Sequence, residues 1–280
     1  MAGTALVLGG GGLTGIGWEI GVLAGLAEAG LHLADADVVI GTSAGSIVGA
    51  HLTSRHIGLD EMYESQLAVP ESRSAARMGP AALARFAAIA LRSRDTVSFG
   101  VRMGRLALAA RTVTEEEQRT AIARTLNLTD WPARRLVITA VDAVTGERTA
   151  FDDTSGVRLL DAVGASCAVP GIYPPVTIDG SRWIDGGVHS SANADLAAGY
   201  GRVVIVAPMA AGGGPIAGPR AQGERLARQG ARVCVLTPDR AARAAFGRNV
   251  LDPAKRADAA RAGRRQAAAH VAQIQQVWSH

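Results

Sequence analysis

Residues 38–45 read Val38-Val39-Ile40-Gly41-Thr42-Ser43-Ala44-Gly45. A short apolar run is cut by glycine, a serine follows between small residues, and Ser46 to Thr53 continue with helical spacing. Short apolar runs ended by glycine read as buried strands, so this stretch is strand, tight turn, helix. The same arrangement occurs upstream. Thr4 to Leu8 (TALVL) stops at Gly9-Gly10-Gly11-Gly12, and Ile16 to Ala29 follows with helical spacing and Gly30 as its stop. Strand, glycine loop, helix, strand, turn, helix is the alternation of a parallel sheet with helices on both faces.

Downstream, residues 60–130 are mostly helical in pattern and rich in Ala and Arg. Pro80 to Arg92 and Phe99 to Arg111 form amphipathic candidates, and Thr114 with Glu117 makes a capping box for Glu115 to Leu126. Leu136 to Val141 turns through Thr145-Gly146 into Arg148 to Phe151, a hairpin. Val157 to Ser166 is a helix, after which Pro170, Pro174 and Pro175 force a loop. Val176 to Ile178 and Arg182 to Ile184 form a second hairpin around Asp179-Gly180, ending at Asp185-Gly186-Gly187. Asn193 is expected to cap a short helix from Ala194. Arg202 to Ala207 and Arg232 to Leu236 are strands, 208–219 is loop, and Pro253 to Trp278 reads as one long helix.

Of the 280 residues, 48% are hydrophobic and 19% charged, which excludes disorder over most of the length. The net charge of +4 is uneven: Arg220 to Arg265 holds 12 basic and 4 acidic residues, Glu71 to Arg111 holds 8 and 2. Aromatics are only 4%, too few for base stacking along these arginines, so a nucleic-acid surface is not expected. An anionic lipid surface met by the helices over 80–111 is the alternative to a merely solvated basic face. The first charged residue is Glu19, and no uncharged apolar run reaches 18 residues. Neither a signal peptide nor a transmembrane helix is therefore expected, and the expected location is cytoplasmic, peripheral at a membrane. Cys167 and Cys234, both in apolar stretches, offer no metal spacing and read as buried thiols.

Three constellations carry chemistry. Gly41-Thr42-Ser43-Ala44-Gly45 is a G-x-S-x-G element: a serine nucleophile must stand clear of its backbone on a strained strand-to-helix turn, which needs the small neighbours Gly41, Ala44 and Gly45. The following helix aims free N–H groups at a developing oxyanion. Gly9 to Gly12 with Gly15 leaves backbone amides open for an anion. That loop fits an oxyanion hole, or a dinucleotide fingerprint through Gly10, Gly12 and Gly15. The fingerprint needs an acid at the far end of the second strand, whereas Asp35 and Asp37 precede that strand. Asp185-Gly186-Gly187 closes a strand. Ser43 needs a base, and the histidines offer only His189 near Asp185; a buried aspartate within hydrogen-bond reach of the serine serves equally.

In chain order, LVLGGGGLTGIGWEIGVLAGL (6–26), GTSAG (41–45), ASCAVPGIYPPV (165–176) and DGG (185–187) together resemble the patatin-like phospholipase family. The resemblance implies an α/β fold of three layers, a mostly parallel central sheet flanked by helices. It implies a Ser–Asp dyad of Ser43 and Asp185, with Gly186 and Gly187 completing the Asp-Gly-Gly motif and the amides of Gly10, Gly11 and Gly12 as oxyanion donors. Phospholipase A-like or lysophospholipase-like hydrolysis of lipid acyl esters would follow, with no metal and no organic cofactor. The resemblance spans about residues 5–210, and a single domain over 1–280 is expected, with that motif-bearing core, a helical insertion over 60–130 and a C-terminal helix over 253–280. Where the family usually carries Arg or Lys shortly after the glycines, this sequence has Thr14. Two other functions stand beside the hydrolase: a dinucleotide-binding oxidoreductase, and a catalytically weak binding protein on the same fold.

Overall fold

A computed structural model of the chain describes residues 2–68, 76 and 79–278. The opening run forms β1 (Thr4–Leu8), buried throughout. Helix α1 (Gly12–Glu28) leaves the glycine loop directly, four residues before the apolar spacing begins. Its first turn is pressed backbone-first on Pro208, which a Cβ at Gly11 or Gly15 would crowd. Then come β2 (Val38–Gly41), α2 (Ala44–Ser54) and four helices: α3 (Leu59–Leu67), α4 (Pro80–Leu91), α5 (Thr96–Ala109) and α6 (Glu115–Leu126). The expected capping box at Thr114 and Glu117 is formed, and α5 starts on another at Asp95 and Ser98. The two hairpins follow as β3 (Leu136–Asp142) with β4 (Arg148–Phe151), and β5 (Val176–Ile178) with β6 (Ser181–Asp185), separated by α7 (Leu159–Ser166). The chain closes with β7 (Arg202–Val206), α8 (Pro219–Arg228), β8 (Arg232–Leu236), α9 (Arg240–Phe246), α10 (Arg256–Ala267) and α11 (Val271–Trp278).

The strands form one mixed sheet in the order β5-β6-β3-β2-β1-β7-β8, with β4 also paired to β3. The β3-β2-β1-β7-β8 portion is parallel, and β4, β5 and β6 are antiparallel. Alternation along β1 sends Leu6 and Leu8 into one core and Ala5 and Val7 into another, so apolar layers cover both faces. The fold is α/β, with helices on either side of the sheet. β1 lies where the topology reverses, with β2 and β3 to one side and β7 and β8 to the other. Crevices at the carboxyl ends of strands beside such a point hold the ligands of open α/β sheets.

The expected C-terminal helix is interrupted. A 3-10 turn at Pro253–Lys255 precedes α10, and another at Ala268–His270 separates it from α11. The two halves pack on different elements. α10 runs along α1, close enough that a Cβ at Gly17 would lie 2.6 Å from Arg256 O, and Trp18 Nε1 donates to Gln266 Oε1 at 3.0 Å. α11 turns onto β7 and β8, burying Ile274 and Val277. One straight helix cannot do both. Helices α8 and α9 had no counterpart in the sequence reading.

The helices over 80–111 divide between packing and exposure. The apolar face of α5 (Phe99, Met103, Ala107) is buried with Val141 and Ile184 of the sheet. Phe86, Ile89 and Ala90 of α4 are partly buried against the same cluster, while Leu83, Leu91, Val97 and Leu108 remain exposed. No helix among the described residues is long and apolar enough to cross a membrane.

Candidate active site

The sheet register brings the motifs together. Gly41, ending β2, pairs with Ile138 of β3, and Ala140 of β3 pairs on its other side with Asp185. Ser43, two residues beyond Gly41, therefore reaches the level of Asp185 across β3. The chain turns at Ser43 with φ 52° and ψ −116°, a conformation costly for a non-glycine residue. The flanking glycines are steric requirements. A Cβ at Gly41 would lie 2.6 Å from Gly45 O, and one at Gly45 would collide with Leu8 O.

Three side chains that the sequence reading did not assign to the site hold this turn. Ser166 Oγ accepts the Ser43 N–H at 2.8 Å, while Ser46 Oγ and Cys167 Sγ donate to Ser43 O at 2.6 and 3.4 Å. Burial pushes the Cys167 thiol up to about 12, with the nearby Asp185 charge acting in the same sense. Cys167 is thus an uncharged support, in keeping with the buried thiol expected, and Cys234 is buried as well.

Asp185 is 5% exposed, and its carboxyl lies close enough to the Ser43 side chain for the hydroxyl to favour its ionised form. Gly187 N–H donates to Asp185 Oδ1 at 2.7 Å. Burial raises the carboxyl from 3.8 to about 6, against the opposing effects of Ser43 and Gly187. His189 is half-buried near the charges of Arg148 and Asp195, and no histidine among the described residues bonds Ser43 or Asp185.

The glycine loop passes beside the serine: a Cβ on Gly10 would stand 3.4 Å from Ser43 Cβ. The Gly10 N–H, however, donates to Ser191 O at 2.8 Å, which removes Gly10 from the expected donor set. Gly11 and Gly12 amides carry no acceptor among the described residues. Thr14 is fully buried, its N–H and hydroxyl directed to Val250 O, so the loop presents no cation here. Beneath the loop, Glu19 is fully buried, and burial pushes its carboxyl well above the ordinary range.

Asn193 takes a different role from the cap expected of it. It precedes the 3-10 turn Ala194–Ala197 at φ 51° and makes no side-chain cap bond. Its Nδ2 instead contacts Thr42 Oγ1 at 3.0 Å, Thr139 Oγ1 at 3.1 Å, Gly186 O at 3.2 Å and Ser190 O at 2.9 Å. Its Oδ1 accepts from Arg148, itself paired with both carboxylate oxygens of Asp195. One buried amide thus ties the residue before Ser43 to the residue after Asp185.

Ser43 opens onto a cleft of about 360 Å³ whose walls include Ile47, Ile122, Val169, Tyr173 and Leu251. The dinucleotide reading has no support in this geometry. Asp37 accepts from Thr4 N and Oγ1, at the end of β1 remote from the glycine loop.

Residues 6–198 match the family model for patatin-like phospholipases, which is more than half of the chain. The chain belongs to the patatin-like phospholipase family. Membership makes it one of a family of lipid acyl hydrolases. Among curated proteins, none is matched. Among solved structures, this patatin-like fold is similar to VipD from Legionella pneumophila, at 12% identity and a TM-score of 0.47 over 98% of this chain and 67% of that one. It is also similar to the type III effector protein ExoU, at 16% identity and a TM-score of 0.43 over 98% of this chain and 53% of that one. The chain thus spans between about half and two thirds of these proteins.

Proposed function

We propose that the chain is a serine-dependent lipid acyl-ester hydrolase of the phospholipase A or lysophospholipase type, working with Ser43 and Asp185. The observation that carries this reading is a buried carboxyl beside a serine on a strained elbow, at the mouth of an apolar cleft. Ionised Asp185 takes the Ser43 proton as the serine oxygen attacks the acyl carbonyl. The amides of Gly11 and Gly12 and the N-terminus of α2 receive the oxyanion, where one such donor is worth about 10²–10³ in rate. The carbon–oxygen bond to the alcohol breaks, and that alcohol takes the proton from Asp185. Water, giving its proton to Asp185, then attacks the acyl-serine, and the fatty acid leaves as Ser43 regains its proton.

The acyl chain occupies the apolar cleft. Peripheral contact with an anionic lipid surface belongs to the same reading and falls on α4 and α5. Arg85, Arg92, Arg94, Arg102, Arg105 and Arg111 are all exposed there beside Leu83, Leu91 and Leu108. Helix α5 also borders the catalytic end, since Leu106 packs against Gly171, between the cleft residues Val169 and Tyr173.

The test is hydrolysis of a panel of acyl esters by the wild-type chain and by Ser43→Ala, with circular dichroism to monitor the fold. Loss of all hydrolysis in a folded Ser43→Ala chain is expected. Full activity in that variant would remove Ser43 as the nucleophile, and no activity in the wild type would put the binding-protein reading ahead.

A further inference from the structure

Beside the catalytic cleft lies a larger compartment of about 640 Å³. The two share Leu13, Ile16, Ile47, Thr125 and Pro253 as walls, so they adjoin. Their chemistry differs. The cleft is mostly apolar and has no charged side chain in its walls, whereas the neighbour adds His51, His56, Ser65, Gln66, Arg124 and Arg256, with Glu61 its one acid.

Arg256 is the unusual member. It is half-buried at the start of α10, with Nε donating to Gln66 Oε1 at 3.1 Å and Nη2 to Ser65 O at 3.3 Å. Both acceptors are neutral. Among the described residues no carboxylate pairs with Arg256 or with Arg124, and Glu61 bonds neither. Burial without a counter-charge lowers the pKa of Arg256 from its ordinary value. A guanidinium held this way is expensive to maintain unless an anion completes it, and its planar fork suits phosphate.

The spacing agrees with one molecule bridging both compartments. The backbone of Arg256 abuts α1 at Gly17, five residues beyond Gly12, about 7.5 Å along a helix axis, and its side chain extends from there to Ser65 and Gln66 of α3. In a glycerophospholipid about five or six bonds separate an ester carbonyl from phosphorus, or roughly 6–7 Å at about 1.2 Å per bond of extended chain. An ester seated at Ser43 and the glycine loop thus carries its phosphoryl group toward the adjoining compartment that Arg256 lines. The loop itself, with Thr14 turned toward Val250, supplies no cation for that group.

We propose that this compartment is the subsite for the phosphoryl group of an acyl phospholipid, held by Arg256 with Arg124. The proposal rests on the acyl-hydrolase reading for its orientation, with the ester at Ser43 and the phosphate over α1. It moves the recognition of the head group from the glycine loop to the junction of α3, α6 and α10.

The test is calorimetric titration of the full chain carrying Ser43→Ala with three probes: dihexanoyl phosphatidylglycerol below its micelle concentration, uncharged monohexanoylglycerol, and inorganic phosphate. The phospholipid should bind more tightly than either other probe. Adding Arg256→Gln should weaken its binding about tenfold relative to monohexanoylglycerol, and Arg256→Lys should restore part of the loss. Arg124→Gln, at an exposed position that does not endanger folding, should weaken it in the same sense. An unchanged ratio in both glutamine variants would overturn the subsite. So would inorganic phosphate binding as tightly as the phospholipid, which would mark a site for free phosphate instead. If the wild type cleaves neither ester while the Ser43→Ala chain still binds phospholipid through Arg256, the hydrolase reading falls and the subsite stands.

Discussion

Replacing Asp185 by asparagine should stabilise the protein while disabling it, and the stabilisation should depend on pH in a defined way. Asp185 is 5% exposed, and burial lifts its carboxyl from 3.8 to about 6. Above pH 6 the folded chain holds an ionised carboxylate that the unfolded chain would solvate better. Below 3.8 the group is neutral in both states and the penalty vanishes. The gap between 3.8 and about 6, at about 1.4 kcal/mol per pH unit, corresponds to about 3 kcal/mol at pH 8. Asparagine keeps the shape and can still accept from Gly187 N–H, so it removes the charge with little else. For a chain of this length, with unfolding entropy near 2 cal/mol/K per residue, 3 kcal/mol corresponds to roughly 5 °C. The assay is thermal and urea unfolding of wild type and Asp185→Asn at pH 4 and pH 8. The stability difference should be near zero at pH 4 and open through pH 4–6 in favour of the variant. A variant no more stable than wild type at pH 8, or a gain independent of pH, would refute the reasoning that burial dominates this carboxyl.

Three further outcomes are expected. Because Asp185 must be ionised to take the serine proton and its carboxyl sits at about 6, kcat/KM for an uncharged ester should fall as pH drops through 6. A profile flat from pH 4 to 8 would contradict the assigned base. Asn193→Asp removes the donors to Thr42, Thr139, Gly186 and Ser190, and kcat should drop by about 10–100-fold with a smaller effect on KM, as misplacement of reacting groups does. Steady-state kinetics decides it, a change confined to KM counting against a positioning role. Replacing Arg92, Arg102 and Arg105 together by Gln should reduce flotation with vesicles containing phosphatidylglycerol by about tenfold or more. Equal flotation of wild type and variant would remove the lipid surface from α4 and α5.

The two opening strand–turn–helix units are legible in the sequence because their signals are local: TALVL and VVI stop at glycines, and helical spacing resumes at once. The hairpins around Thr145-Gly146 and Asp179-Gly180 and the capping box at Thr114 are legible for the same reason. The C-terminal break is not. Ala268–His270 carries no helix breaker, and the chain bends there because α1 and the β7–β8 edge claim different faces. Nor does the glycine row Gly17, Gly21, Gly25 advertise itself as the α10 seat, since only the packed backbone shows what a side chain would strike. Ser43 and Asp185 were singled out by motif, but their meeting depends on β6 pairing with β3, which residue spacing does not specify. Asn193, Ser166 and Cys167 were legible only as a cap, a helix end and a buried thiol. Their roles come from partners more than a hundred positions distant in the chain, or, for Asn193 and Thr139, some fifty. The Gly10 amide is the converse case: the motif offers it as a donor, and the fold has already given it to Ser191.

The central claim is that Ser43 is an activated nucleophile with Asp185 as its base. A fluorophosphonate probe applied to wild type, Ser43→Ala and Asp185→Asn, with the adduct located by peptide mass spectrometry, tests it most directly. The predicted result is one covalent adduct on Ser43 in the wild type, forming faster as pH rises through 6, absent from Ser43→Ala and strongly slowed in Asp185→Asn. Folded wild type that takes no label, or label that persists unchanged in Asp185→Asn, would contradict the claim.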